Sequence, residues 1–143
     1  MRIKMEIGTM NQTQQLAEAF SHVLKPKTIV LLKGDLGSGK TTFVKAVVAA
    51  LGCKDTVTSP TFTLLNTYNA AFPIYHFDMY RLASAEDAMN VGFMEYFDKS
   101  TLDGVCFVEW PETVEGLINE VDFVVEIQKN GDNHRTIIIE EGK

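Results

Sequence analysis

The sequence predicts an α/β protein with a mixed sheet, in which a parallel nucleus is extended by antiparallel strands and flanked by helices. Two short and largely apolar segments, TIVLLK (28–33) and GVCFVE (104–109), are typical of strands that are buried on both faces of a parallel sheet. The Asn-Gly pair in KNGDN (129–133) is a strong signal for a hairpin of antiparallel strands. Parallel and antiparallel strands are therefore both expected.

The first half of the chain predicts two strands, each followed by a helix. Apolar side chains recur at helical spacing from Leu16 to Leu24, Asn11 or Thr13 is expected to cap this helix, and Pro26 ends it. Gly52 is expected to close the second helix. The predicted elements are a strand at Arg2–Ile7, the first helix, a strand at Thr28–Lys33, a glycine-bearing loop at Gly34–Gly39 and a helix at Lys40–Leu51.

The second half predicts two hairpins on either side of a buried strand. Ser84 and Asp87 resemble a capping box, which indicates a short helix that ends near Gly92. The other predicted elements are strands at Phe62–Tyr68 and Pro73–Tyr80, a strand at Gly104–Glu109, a short helix at Thr113–Asn119, and strands at Val121–Gln128 and His134–Glu140.

The glycine-bearing loop carries the motif GDLGSGKT, from Gly34 to Thr41, which satisfies G-x-x-x-x-G-K-[ST] between a buried strand and a helix. Glycines let backbone N–H groups turn inward around an anion, and the helix N-terminus adds partial positive charge. Lys40 is expected to reach the β and γ phosphates, Thr41 to ligate Mg²⁺ and Thr42 to meet the α phosphate. The predicted fold is therefore P-loop NTPase-like, with a nucleotide site.

Two carboxylates follow apolar strand segments and are candidates for the magnesium shell. Glu109 ends the run VCFV (105–108), and Asp78 ends IYHF (74–77) on the same strand face as His76. Either carboxylate could associate with the metal while the other orients the attacking water. His76 is a catalytic candidate or a hydrogen-bonded buried histidine. Trp110 is a core residue or part of a partner-facing surface.

A segment rich in hydroxyl groups, TSPTFT (58–63), follows the helix of the P-loop. A loop that senses the γ phosphate would lie here, with Ser59 or Thr61 supplying the hydroxyl. A plain polar turn is the competing interpretation.

Length and composition limit the classes of protein that this chain can be. The 143 residues match one domain of about 100–150 residues, so residues 1–143 are expected to form a single domain. The net charge of −6 argues against tight autonomous binding of nucleic acid.

The sequence contains no apolar run typical of a membrane helix or a secretory signal, so we expect a cytoplasmic protein. The two cysteines are expected to be unrelated thiols.

Four motifs in one order give the chain a specific resemblance: GDLGSGKTT (34–42), SPTFTL (59–64), HFDMYRL (76–82) and VEW (108–110). With these motifs the chain resembles the TsaE (YjeE) family, the small ATPase of bacterial tRNA threonylcarbamoyladenosine synthesis. A P-loop alone is shared by many unrelated proteins, whereas the combination is specific to this family.

The resemblance implies a set of residue roles. It implies that Thr41 and Glu109 ligate magnesium and that Lys40, Asp78 and Glu109 are catalytic. The residues implied to bind ATP are Asn11, Thr13, Gly37, Ser38, Gly39, Lys40, Thr41, Thr42, Ser59, Thr61 and Arg135, with Asn11, Thr13 and Arg135 near the adenine.

The resemblance also implies the setting in which the protein works. Family members act with two proteins, TsaB and TsaD, and hydrolyse ATP to support repeated turnover of tRNA modification. The threonylcarbamoyl transfer belongs to TsaD, so tRNA is reached through the complex. Because the chain has only three arginines, its hydrolysis is expected to be slow until a partner completes the site.

Two other function classes use a P-loop. Kinases of phosphorylated acceptors generally bring several arginines to spread transition-state charge, and Arg2 in the first strand leaves only Arg81 and Arg135 for that role. A small-molecule kinase is therefore the second hypothesis. A GTP-dependent switch is the third, although the usual guanine-reading signature N-K-x-D is absent from the sequence.

Overall fold

Seven strands form one mixed sheet in a computed structural model that describes residues 2–53 and 64–142. The order across the sheet is β1-β7-β6-β2-β5-β4-β3. The strands are β1 (Arg2–Ile7), β2 (Thr28–Lys33), β3 (Leu65–Asn69), β4 (Pro73–Asp78), β5 (Val105–Glu109), β6 (Phe123–Lys129) and β7 (Arg135–Glu141).

The centre of the sheet is parallel and both of its sides are antiparallel. Strand β2 pairs in parallel with β5 and β6, and β4 pairs in parallel with β5. Antiparallel pairs join β1 to β7, β6 to β7 and β3 to β4. This arrangement confirms the predicted parallel nucleus with antiparallel extensions. It also brings the carboxyl ends of β2, β4 and β5 to one edge of the sheet.

The first helix, α1 (Met10–Ser21), begins before both of the residues that were expected to cap it. Its N-cap is Thr9, neither Asn11 nor Thr13. The Thr9 hydroxyl accepts from Gln12 N at 3.2 Å, and Gln12 Oε1 accepts from Thr9 N at 3.1 Å. This T-x-x-Q capping box satisfies N–H groups that otherwise have no partner in the first turn. The helix also ends before Val23, which is 44% exposed.

The remaining helices are α2 (Lys40–Ala50), α3 (Ala85–Asn90) and α4 (Met94–Phe97). Ser84 caps α3 as expected, since its hydroxyl accepts from Asp87 N at 3.3 Å. The one-turn helix α4 was not predicted. The helix expected at 113–119 is instead two 3₁₀ turns, Pro111–Thr113 and Glu115–Leu117. Strand β4 ends at Asp78, two residues before the predicted end.

Apolar side chains cover both faces of the sheet. Helices α1 and α2 pack on one face, where Phe43 and Val47 meet Phe107 of β5. On the other face Phe77 and Val108 meet residues around α3 and α4, such as Phe97. Cys53 and Cys106 are free thiols, as expected. Within the described ranges, no helix combines the length and the apolar character needed to cross a membrane.

Candidate functional site

The loop between β2 and α2 has the backbone that a phosphate-binding loop requires. A Cβ at Gly34 would lie 2.5 Å from the carbonyl oxygen of Ile127 and 2.7 Å from Ser38 Oγ, so only glycine fits there. Helix α2 begins directly after Gly39 without a side-chain cap. The first N–H groups of α2 therefore remain available to an anion, which the positive end of the helix dipole also favours.

Lys40 is buried at the start of α2, with 5% of its surface exposed. Its Nζ donates to the carbonyl oxygen of Gly34 at 2.5 Å and lies 3.5 Å from the centroid of the Trp110 ring. Burial lowers the pKa of Lys40, while the negative charges of Glu109 and Glu112 act in the opposite direction. The ammonium group is thus held by a carbonyl and an aromatic face beside the loop, where it can meet an anionic ligand.

Glu109 is the centre of a small polar cluster at the carboxyl end of β5. The Thr41 hydroxyl donates to Glu109 Oε2 at 2.9 Å and lies 3.1 Å from Oε1. From the next strand, His76 Nε2 forms a short hydrogen bond with Glu109 Oε2. Glu109 is only 3% exposed. Its carboxylate therefore lies between the hydroxyl of the P-loop helix and a buried imidazole.

Asp78 lies beside Glu109 because the two residues are register partners in the parallel pair of β4 and β5. Its side chain is 7% exposed, and Oδ1 accepts from Tyr80 N at 3.0 Å. The two sequence-predicted carboxylates thus end neighbouring strands at the same edge of the sheet as the P-loop. This is the placement expected of ligand sites in open α/β sheets.

A cavity of about 310 Å³ joins these groups. It contains nine of the predicted site residues together with Leu36 and Trp110. The predicted residues that line it are Gly37, Ser38, Gly39, Lys40, Thr41, Thr42, Asp78, Glu109 and Arg135.

A second cavity of about 430 Å³ adjoins the first and shares Gly39, Thr42 and Arg135 with it. The start of α1 forms one wall, through residues that include Thr9 and Thr13. Asn11 is exposed on α1 and lies outside the lining of this cavity. Its predicted contact with the nucleotide stays a prediction.

Arg135, at the start of β7, connects the two cavities. Its Nε donates to the carbonyl oxygen of Ser38 in the P-loop. The site therefore combines the loop after β2 with a residue nearly one hundred positions later in the chain. Ser59 and Thr61 of the predicted γ-phosphate loop lie outside the described residues, so their role stays a prediction.

Sequence reasoning missed parts of both cavities. The Trp110 ring reaches Lys40 because Trp110 has a left-handed backbone, with φ of +54°. Asp132 and Asn133 of the turn between β6 and β7 line the second cavity. The turn was predicted from its Asn-Gly pair, and its polar residues next to Arg135 were the signal that could have pointed to the cavity.

The polar groups that line the first cavity suit a phosphate ligand with a bound hard cation such as Mg²⁺. The buried Ser38 Oγ has no hydrogen-bond partner among the described residues, so the loop has a polar group left for a ligand oxygen. The described ranges contain no cluster of three or more His, Cys, Asp or Glu that would enclose a metal by itself. Mg²⁺ typically takes one or two carboxylates together with phosphate oxygens and water, and Thr41, Glu109 and Asp78 fit that pattern.

Comparisons with known proteins agree on one family. The family model described as "Threonylcarbamoyl adenosine biosynthesis protein TsaE" matches residues 7–137. A Bacillus subtilis protein named "tRNA threonylcarbamoyladenosine biosynthesis protein TsaE" is 35% identical over 137 residues, which cover 95% of this chain and 84% of that protein. A Haemophilus influenzae protein of the same name is 39% identical over 124 residues, covering 85% and 77% of the two chains.

A solved structure is similar over the whole chain. The crystal structure of Bacillus subtilis YdiB superposes with a TM-score of 0.82 and 31% sequence identity. The match covers 100% of this chain and 87% of that one. The similarity therefore includes the parallel nucleus, the antiparallel extensions and the edge at which the two cavities lie.

Proposed function

This chain belongs to the TsaE family of threonylcarbamoyl adenosine biosynthesis proteins, and from that membership we propose that it is a Mg²⁺-dependent ATPase. In this proposal it is an accessory protein of the threonylcarbamoyladenosine modification of tRNA, at the adenosine next to the anticodon. It works with TsaB and TsaD, and reaches tRNA through them. Such a role would place it in the cytoplasm.

The observation that carries this proposal is the convergence of Lys40, Thr41, Asp78 and Glu109 on one cavity beside the P-loop. Lys40 and the N–H groups at the start of α2 would bind the phosphates. Thr41 and Glu109 would hold Mg²⁺, which neutralises phosphate charge when bound. Asp78, which ends the strand next to Glu109, would orient the attacking water.

The second cavity supports a place for the nucleoside. It adjoins the P-loop at Gly39 and Thr42, so a nucleotide with its phosphates on the loop would extend into it. Thr13 and Arg135 line this cavity, in keeping with the adenine-side roles that the family resemblance implies. The Arg135 guanidinium, held against Ser38 O, would lie on the part of the nucleoside cavity that adjoins the P-loop, since Arg135 lines both cavities.

The charge of the chain supports a partner-dependent role. A net charge of −6 argues against tight autonomous binding of tRNA, which rests on clustered basic residues. This acidity is compatible with docking on a basic protein surface. Hydrolysis is therefore expected to be slow in the isolated protein. The transfer of the threonylcarbamoyl group remains the work of TsaD in this proposal.

The decisive experiment measures ATP turnover by the purified protein alone, with TsaB and TsaD, and with both proteins and tRNA. We expect slow turnover alone and a large increase in the assembly. Lys40→Ala should abolish binding of the triphosphate, because the buried ammonium group at the loop is lost. Lys45→Ala is the matched control, since Lys45 is an exposed lysine of the same helix. Absence of ATP binding and hydrolysis in every mixture would refute the proposal.

A further inference from the structure

His76 is a polar side chain at a position where the packing of the sheet calls for an apolar one. Along β4, Ile74, His76 and Asp78 point to the same face of the sheet. Ile74 joins the apolar core that β4 shares with α1 and α2. His76 follows it with 0% of its surface exposed. Burial of an imidazole is costly unless it forms hydrogen bonds, so its presence requires a specific partner.

The partner in the structure is Glu109. His76 Nε2 bonds to Glu109 Oε2, while the buried Nδ1 has no hydrogen-bond partner among the described residues. A carboxylate accepts hydrogen bonds, so Nε2 is the donor when Glu109 is ionised. Among the described residues, the bond to Glu109 is therefore the hydrogen bond that compensates for burying this imidazole.

Two donors meet the Glu109 carboxylate, and they differ in what else they must do. The Thr41 hydroxyl is the first, at 2.9 Å from Oε2. On the proposed function the Thr41 oxygen also ligates magnesium while its O–H can still donate to Glu109, so the position of this hydroxyl depends on the metal as well. His76 reaches the carboxylate from the neighbouring strand β4 and is not a metal ligand in the proposed function. Its hydrogen bond is available with or without a ligand.

We infer that His76 is a positioning residue, which fixes the orientation of the Glu109 carboxylate toward Thr41 and the cavity and thereby sets the affinity of the nucleotide site for Mg²⁺. The inference rests on the proposed function, because it assigns a role to a neighbour of a proposed metal ligand. Groups that orient metal ligands commonly change metal affinity or activity by about 10–100-fold when they are removed.

The test measures binding of a non-hydrolysable ATP analogue, AMPPNP, while Mg²⁺ is titrated, and repeats the measurement in EDTA. His76→Leu removes the hydrogen-bond donor and keeps a side chain of similar volume. His76→Asn has an amide donor, but its side chain is too short to reach Glu109. His76→Gln keeps an amide nitrogen near the position of Nε2. Tyr75→Phe is the control on the same strand, because it removes only the hydroxyl bond to Asp103 on the opposite face.

We expect His76→Leu and His76→Asn to raise the Mg²⁺ concentration for half-maximal binding by about tenfold or more. His76→Gln should restore most of the affinity, and Tyr75→Phe should match the wild type. Binding in EDTA should be equal in all variants, since only the metal ligand is disturbed. If His76→Leu does not fold, the comparison of His76→Asn with His76→Gln gives the same test.

Three results would overturn the inference. First, the Mg²⁺ concentration for half-maximal AMPPNP binding could be unchanged when the donor is removed. Second, the Leu, Asn and Gln variants could lose affinity equally. Third, AMPPNP binding in EDTA could fall as much as binding in Mg²⁺. The last two would indicate a packing role. Failure of the wild type to bind AMPPNP at any Mg²⁺ concentration would instead refute the proposed function, so the two failures are distinguishable.

Discussion

Glu109 is a carboxylate with 3% exposure, and such burial is tolerated only where hydrogen bonds or charges compensate for it. Thr41, His76 and the nearby charge of Lys40 provide that compensation. The same contacts keep the carboxylate at the cavity wall. A group that is stabilised in this way is suited to hold a cation against a phosphate.

Glu109→Ala should therefore retain nucleotide but lose hydrolysis, because loss of a metal ligand affects the charged transition state most. We expect turnover to fall by about 100-fold or more, measured by phosphate release in the partner-stimulated assembly. Glu140→Gln is the control, since Glu140 is an exposed carboxylate that pairs with Arg2. Unchanged turnover in Glu109→Ala would reassign the metal role, most naturally to Asp78.

Single residues also show which positions at the cavity the sequence can point to and which it cannot. The motif predicted Lys40 and Thr41, and the apolar runs predicted Glu109 and Asp78, because strand ends and P-loops are local patterns. The contact of Trp110 with Lys40 depends on a positive φ and on tertiary packing, neither of which has a local signature. His76 was an open alternative until its hydrogen bond to Glu109 identified the partner.

At the scale of elements, the P-loop offers a comparison between two glycines. Gly34→Ala should destabilise the protein more than Gly37→Ala. Both have positive φ, which costs a residue with a Cβ about 1–2 kcal/mol. Only at Gly34 would the Cβ also meet a backbone oxygen, at 2.5 Å, which adds about 1–3 kcal/mol of overpacking.

Urea unfolding of the two variants measures this difference. Gly116→Ala is the control, because a Cβ there meets no atom within 4 Å and the backbone is not left-handed. Equal losses of stability in Gly34→Ala and Gly37→Ala would show that the loop relaxes around the added methyl group at little cost.

The start of α1 is one of the boundaries that differed from the prediction. Thr9→Ala should lower the free energy of unfolding by about 1 kcal/mol, since the hydroxyl accepts from Gln12 N. Chemical denaturation measures the change. Gln15→Ala, on the exposed side of the same helix, should stay within about 0.5 kcal/mol. If both variants lost the same amount, the capping box would not be what stabilises this helix.

The boundary was missed for a physical reason. Asn11 and Thr13 are good capping residues, and the apolar periodicity that guided the choice begins only at Leu16. The T-x-x-Q pattern at Thr9 lay upstream of that signal. Helix α4 has four residues and the two 3₁₀ turns have three residues each. Segments of about one turn are too short to establish a hydrophobic period. The short, almost wholly apolar strands β2 and β5 were predicted within one residue.

At the scale of the whole molecule, the net charge of −6 predicts that tRNA binding requires the partners. The isolated protein should bind tRNA more weakly than about 10⁻⁴ M at physiological salt, because a chain with net negative charge is repelled by the phosphates and gains little from the release of their counterions. Filter binding with and without TsaB and TsaD measures this. Tight binding by the isolated protein would contradict the indirect route to tRNA.

Strand order has a consequence for how the protein is made. The strand that leads into the P-loop, β2, has both of its neighbours, β5 and β6, in the last third of the chain, and Arg135 contacts the loop from still later. During synthesis the phosphate loop therefore emerges from the ribosome long before the strands that hold it in place. Distant pairings of this kind slow folding. The nucleotide site is therefore completed only after β5, β6 and Arg135 have been synthesised.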